Sequence, residues 1–256
     1  ELRRQLGEAP AEVENLCRLA TLLVNLGRNA EAEATGARAL ALAEALPAGR
    51  EQADACRLQS FLRMVARDNE EAIRWGGRAL ELAEQIGDGA MVASSLNSIG
   101  SATIHLDYVG GCALLERSRE AAAAAGNDMM VVNADGNLGS ASGEVHRFER
   151  AERYLAHGIA QAIEREIDPA YLQSWRALCL VHLGRWSEAG ELAGVVLSAG
   201  RDSAIARNMA QLALGRLRAR RGDAGAWSAL DEAERLADAS GHLQRVAPVR
   251  AARAEA

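Results

Sequence analysis

The chain has 256 residues, 49% of them hydrophobic and only 4% aromatic, with four prolines. That composition fits an Ala/Leu-rich helical protein and leaves no room for a sheet-rich domain, since β-branched residues never gather in alternating blocks. The formal net charge of −6 argues against a basic nucleic-acid-binding surface, and with no membrane-length apolar run and no visible signal peptide the expected location is the cytoplasm.

In chain order, apolar residues at helical spacing predict helices over 11–26, 29–46, 51–66, 69–86, 90–105 and 108–125, then 129–145, 148–166, 169–183, 186–199, 204–220 and 225–240. Residues 247–256 read as the opening of one more helix. Pro10, Pro47 and Pro169 fall between helices, where a missing N–H costs little. Pro248 is tolerable only in a first helical turn. Gly87-Asp88, Gly126-Asn127-Asp128, Gly200 and Gly241 punctuate helix ends, as left-handed stop residues do.

One phrase recurs between alternate helices. It reads Gly27-Arg28-Asn29-Ala30-Glu31-Ala32, Arg67-Asp68-Asn69-Glu70-Glu71-Ala72, Leu106-Asp107-Tyr108-Val109-Gly110-Gly111, His146-Arg147-Phe148-Glu149-Arg150-Ala151 and Gly184-Arg185-Trp186-Ser187-Glu188-Ala189, with a blurred copy at Gly222–Trp227. The closing small residues step by 40, 39, 40 and 38. A period near 40 residues with a turn signal in mid-period marks a stack of helix pairs, an A helix before each phrase and a B helix after it. The expected fold is therefore all-α: a right-handed superhelical solenoid of about six antiparallel pairs.

The columns have physical jobs. Ala32, Ala72, Gly111, Ala151 and Ala189 let each B helix approach its A helix closely. Seven residues on, Ala39, Ala79, Ser118 and Gly158 keep that side small, while Leu40, Leu80, Ile159 and Leu197 fill the gap beyond. Tyr108, Phe148 and Trp186 serve as wedges between neighbouring pairs, with ligand stacking as the rival role. Cys17, Cys56, Cys112 and Cys179 form no CxxC pair and read as reduced, partly buried residues. The five histidines never fall in metal-ligand spacing, so neither a metal nor another cofactor is expected. The basic run Arg216–Arg221 reads as a solvated helix end, where cations suit the helix dipole.

These columns resemble the tetratricopeptide repeat, with Gly100 and Gly139 at its A-helix glycine and Ala32, Ala72, Ala151 and Ala189 at its B-helix alanine. The period is 38–40 rather than 34, about one extra helical turn per pair. Leu214–Asp223, Leu230-Asp231-Glu232-Ala233 and Leu243–Ala256 make the chain similar to the repeat region of large bacterial LuxR-family ATP-binding transcriptional regulators. In that family an ATP-binding module precedes the repeats and a helix-turn-helix DNA reader follows them. Neither a GxxxxGK[ST] loop nor such a reader occurs in this sequence, so ATP and DNA binding do not carry over to it. Related arrays also accompany nucleotide cyclase and other signalling ATPase domains.

A solenoid's ligand face is the concave one, lined by A helices. Ser94, Asn97 and Ser101 follow i, i+3, i+7 spacing; Asn133, Asn137 and Ser140 follow i, i+4, i+7; Tyr171 and Ser174 lie on the next A helix. Two readings stay open: a groove for peptide backbone or a small polar effector, or small polar residues that merely let A helices pack. Ser140-Ala141-Ser142-Gly143 lacks the strand that a nucleophile elbow needs. Glu149, Glu152, Glu164 and Glu166 alternate with arginines as salt-bridge lacing. No catalytic residue is therefore assigned.

The expected function is a non-catalytic sensor or scaffold of a LuxR-type regulator that binds a peptide, protein or small effector. The alternatives are a stand-alone peptide-binding adaptor and the repeat region of a signalling ATPase or cyclase. The missing initiator Met and the helix cut at 256 suggest one repeat domain, 1–256, from a longer multidomain protein. The end beyond about 243 is expected to fray, or to cover a terminal repeat of a second copy as a weak homo-oligomer.

Overall fold

The computed structural model describes residues 9–199 and 203–256. Among these there are thirteen helices and no strand. They are α1 (Ala9–Asn25), α2 (Asn29–Glu44), α3 (Arg50–Ala66), α4 (Asn69–Ile86), α5 (Gly89–Thr103), α6 (Tyr108–Ala124) and α7 (Asp128–Glu144), followed by α8 (Phe148–Glu164), α9 (Ala170–His182), α10 (Trp186–Ser198), α11 (Ala204–Arg221), α12 (Ala226–Ser240) and α13 (Leu243–Glu255). Each of the twelve expected helices is present with its ends displaced by at most two residues. Odd-numbered helices are the A helices and even-numbered ones their B partners. The chain divides into two compact units, one ending at Val131 and the other beginning at Val132.

The recurring phrase is a chain-reversal device. Gly27, Arg67, His146, Gly184 and Gly222 take positive φ between 61° and 76°, the left-handed conformation that stops an A helix. The next residue then donates its N–H five residues back: Arg28 to Leu23, Asp68 to Arg63, Arg147 to Ser142, Arg185 to Leu180 and Asp223 to Arg218, at 2.8–3.0 Å. The third repeat differs. There Asp107 starts α6 by accepting from the Val109 N–H at 3.1 Å, and a Cβ at Gly111 would stand 2.4 Å from the Ile104 backbone nitrogen. That contact explains the glycine where other repeats carry alanine. Gly87, Gly126 and Gly241 end B helices at positive φ as expected; Gly200 lies outside the described residues.

Within each unit, packing rests on an exchange of large and small residues. Leucines of the B helices sit over glycines of their A helices: Leu115 on Gly100 in the first unit, Leu155 on Gly139 and Leu230 on Gly215 in the second, where an added Cβ would lie 2.9, 2.3 and 2.5 Å from leucine carbons. In the first two repeats the leucine position is itself glycine. Gly36 and Gly76 instead receive Leu62 and Ile99 from the following A helix, a Cβ there meeting them at 2.6 and 2.4 Å. Polar residues at these interfaces bond across them: Ser60 Oγ donates to the Ala72 carbonyl at 2.8 Å, Ser118 Oγ to Ala93 at 2.7 Å and Asn208 Nδ2 to Ala233 at 2.7 Å. All four cysteines are buried and free.

Three readings of the sequence need revision. Pro10 lies inside the first turn of α1, where no helical N–H is needed. Pro248 is the sixth residue of α13, beyond the first turn, so one helical hydrogen bond is forgone. Burial outweighs that loss, because Val249 and Ala252 are fully packed in the core of the second unit with Leu230 and Ala233. The arginine run is a solvated helix end only in part, for Arg220 and Arg221 are exposed in the last turn of α11 and Arg216 is not. Arg216 is buried and bonds Glu255, Arg220 donates to the Val181 carbonyl at 3.2 Å, and Arg218 to the Gly225 carbonyl at 3.3 Å.

Asp88 caps α5 through the Met91 N–H at 2.9 Å and pairs with Arg50 at 2.8 Å. Asp88→Ala should cost about 1 kcal/mol in urea denaturation, almost all from the lost cap, since a pair with exposed Arg50 adds little.

Candidate functional site

The polar residues singled out in the sequence divide between the two units. Ser94, Asn97 and Ser101 belong to α5 in the first unit. Ser94 is half-buried, while Asn97 and Ser101 are buried, and Ser101 Oγ donates to the Asn97 carbonyl at 2.8 Å within the same helix. Asn97 Oδ1 is buried and accepts no hydrogen bond. Asn97→Leu should therefore leave urea stability unchanged or raise it by about 1 kcal/mol, because a buried oxygen without a partner costs free energy that a methyl group does not. A loss above about 1 kcal/mol would mark Asn97 as a packing element.

In the second unit Asn133 is exposed and Asn137 half-buried on α7, with Tyr171 half-buried on α9. Ser140 and Ser174 are buried, and Ser174 Oγ donates to the Tyr171 carbonyl at 2.7 Å. Here α7 and α9 pack closely: a Cβ at Gly136 would meet Leu172 and Tyr171 at 3.6 Å, and one at Gly143 would meet Cys179 and Trp175 at 3.4 Å. For Ser140 and Ser174 this is the arrangement that the close-packing reading describes. Ser140 and Ser142 lie within the helical run of α7, both buried. Glu152 holds Arg176 at 2.7 Å and Arg185 at 3.2 Å, the lacing expected of it. Phe148 and Trp186 pack against the core.

The first unit holds a feature that the sequence reading passed over. A cavity of about 420 Å³ opens at the N-terminal ends of its A helices, lined by Pro10, Ala11, Val13, Glu14 and Arg18 of α1, Arg50, Glu51, Asp54 and Arg57 of α3, and Met91 of α5. Three cations and three anions interleave there. Glu14 and Arg18 pair at 2.6 Å in solvent, and Asp54 and Arg57 pair at 2.7 Å with both side chains largely buried. Beneath them the Cys17 thiol is hydrogen-bonded to Asp54, and burial together with that carboxylate pushes its pKa well above the ordinary thiol value. This thiol is thus not a nucleophile at neutral pH.

The repeat register carries a signal for this site. Stepping back 40 residues from Ser94 gives Asp54 and then Glu14; from Asn97 it gives Arg57 and then Cys17. The A-helix face of the first unit thus runs from charged at α1 and α3 to amide and hydroxyl at α5.

A second polar cluster lies in the second unit. Phe148 stacks on His182 at 4.2 Å between centroids, with His146 on it at 5.5 Å. Burial, then the nearby Arg216, Arg220 and His146, lower the His182 pKa to about 4, opposed by Glu255. Gln244 at the start of α13 donates to Glu144 at the end of α7 at 2.6 Å. Among the described residues no group of three or more His, Cys, Asp or Glu side chains is placed to hold a metal ion, and no helix is long and apolar enough to cross a membrane.

No family model and no curated sequence matches the chain. Solved structures do match its fold. The structure of phAimR with its ligand superposes with a TM-score of 0.73 at 16% identity, covering 96% of this chain and 67% of that one. A Rap protein complexed with Competence and Sporulation Factor gives 0.68 at 18% identity, covering 90% and 66%. The Rap conjugation gene regulator of the plasmid pLS20, in complex with the Phr* peptide, gives 0.62 at 13% identity, covering 90% and 75%. The chain therefore spans about two thirds of the first two structures, and its fold is that of tetratricopeptide-like helical-repeat proteins.

Proposed function

We propose that this chain is a non-catalytic recognition scaffold that binds a peptide or protein segment on the A-helix face of its first unit. The observation that carries the reading is the cavity across α1, α3 and α5, whose volume lies in the range of ligand sites and whose lining interleaves side chains of both charge signs. Arginines and carboxylates together offer donors and acceptors, which match the carbonyl and N–H groups that a peptide backbone presents. That a structurally similar regulator was solved in complex with the Phr* peptide supports the same reading.

Within the cell the scaffold serves as the cytoplasmic sensing region of a LuxR-type, ATP-binding transcriptional regulator, relaying occupancy to ATPase and DNA-binding modules. The resemblance of the C-terminal repeats supports that placement. A full-length reading frame with a phosphate loop upstream and a helix-turn-helix downstream bears it out; a frame with neither points to a stand-alone adaptor, and a cyclase or other ATPase neighbour to a different signalling parent.

Binding itself is tested by titrating the chain with synthetic hexapeptide pools, each with one position fixed, and following fluorescence anisotropy. Saturable binding that the bulky, uncharged substitution Ala11→Trp in the cavity lining weakens at unchanged helicity is the expected result. Failure of every pool to bind overturns the reading.

A further inference from the structure

The charge partners around the cavity are unequally committed, and this inference rests on the peptide-binding reading above. Each arginine that lines the cavity already faces a carboxylate: Arg18 faces Glu14, Arg57 faces Asp54, and Arg50 faces Asp88. An anionic ligand would have to break one of these pairs. The carboxylates differ. Glu14 and Asp54 are paired, whereas Glu51, half-buried in the first turn of α3, has neither an ion-pair nor a hydrogen-bond partner among the described residues. A first-turn acid favours its helix modestly through the dipole, and that role leaves its oxygens free for a ligand.

We infer that the cavity recognises a basic group of the bound peptide, a lysine or arginine side chain or a free amino terminus, with Glu51 as its counter-ion. A phosphate-bearing ligand is disfavoured on the same grounds, because the lining is charge-balanced and, among the described residues, the charge it leaves unpaired is negative. The half-buried setting makes Glu51 worth more than a fully solvated pair, since screening there is weaker.

The hexapeptide pools provide the test, prepared with Lys, Arg, Glu or Leu at the fixed position, each with free and acetylated amino termini. With the native chain, Lys or Arg pools, or free-amine pools, should bind about three- to tenfold more tightly than the neutral ones, and Glu pools more weakly. Glu51→Gln should flatten the ranking, and Glu51→Arg should reverse it. A preference that follows the fixed side chain identifies a basic residue as the ligand group, and one abolished by acetylation identifies the terminus; both support the inference. Pools that bind with no charge preference, or a ranking unmoved by Glu51→Arg at unchanged helicity, overturn it while leaving the peptide-binding reading intact. Binding by no pool overturns both.

Discussion

Gly139→Ala should cost about 1–3 kcal/mol and Leu155→Ala about 2–5 kcal/mol, yet the double variant should cost clearly less than their sum. The reason is steric. A Cβ on Gly139 would stand 2.3 Å from Cγ of Leu155, and Leu155 is fully buried, so the leucine cannot swing aside. Removing the leucine alone leaves a void above a glycine. Removing both conflicts together recreates a pairing the molecule already uses, for 38 residues on the same two positions are Ala177 and Ala193, both fully buried. A urea-denaturation double-mutant cycle reads the coupling directly. Strict additivity would mean that the two residues do not press on one another.

Acidification should remove about 1–2 kcal/mol of stability through His182 alone, with screening at this half-buried site allowed for. In the unfolded chain His182 titrates near its ordinary value of 6.5, but folded it stays neutral down to about 4. The neutral form is thus the one that the fold accommodates. Its contribution is full above pH 6.5 and is lost as pH falls towards 4, because the unfolded state binds the proton first. His182→Phe keeps a ring on Phe148 and removes the titration, so its stability should fall less than that of the native chain between pH 7 and pH 4. Parallel pH profiles would refute the assignment.

The helices were legible because every one is bounded by a turn residue with a backbone reason: a left-handed stop at Gly27 or Gly184, an aspartate cap at Asp107. What periodicity could not show was which member of a packed pair would be large. The small column at Ala32 and Ala72 was visible, but the trade of Leu115 over Gly100 for Ile99 against Gly76 depends on which neighbouring helix fills the space. Arg216 looked as solvated as Arg220 and Arg221 because charge along one helix says nothing of α13 returning to meet it. The cavity was missed for a chemical reason. Its residues share a register with Ser94 and Asn97, but they change from amide and hydroxyl to charged side chains on passing to α3 and α1, so no single chemistry marks this face from α1 to α5. Ser140 and Ser174, conversely, were prominent as polar residues although they lie buried in the close contacts of the second unit.

The central claim is that the A-helix face of the first unit is the recognition surface. Amide hydrogen exchange of the chain, with and without the lysine-fixed hexapeptide pool, tests it most directly. The account predicts slowed exchange confined to the first turns of α1, α3 and α5. Slowing in α2, α4 and α6 instead, or a bound pool that protects none of the A helices, would contradict it.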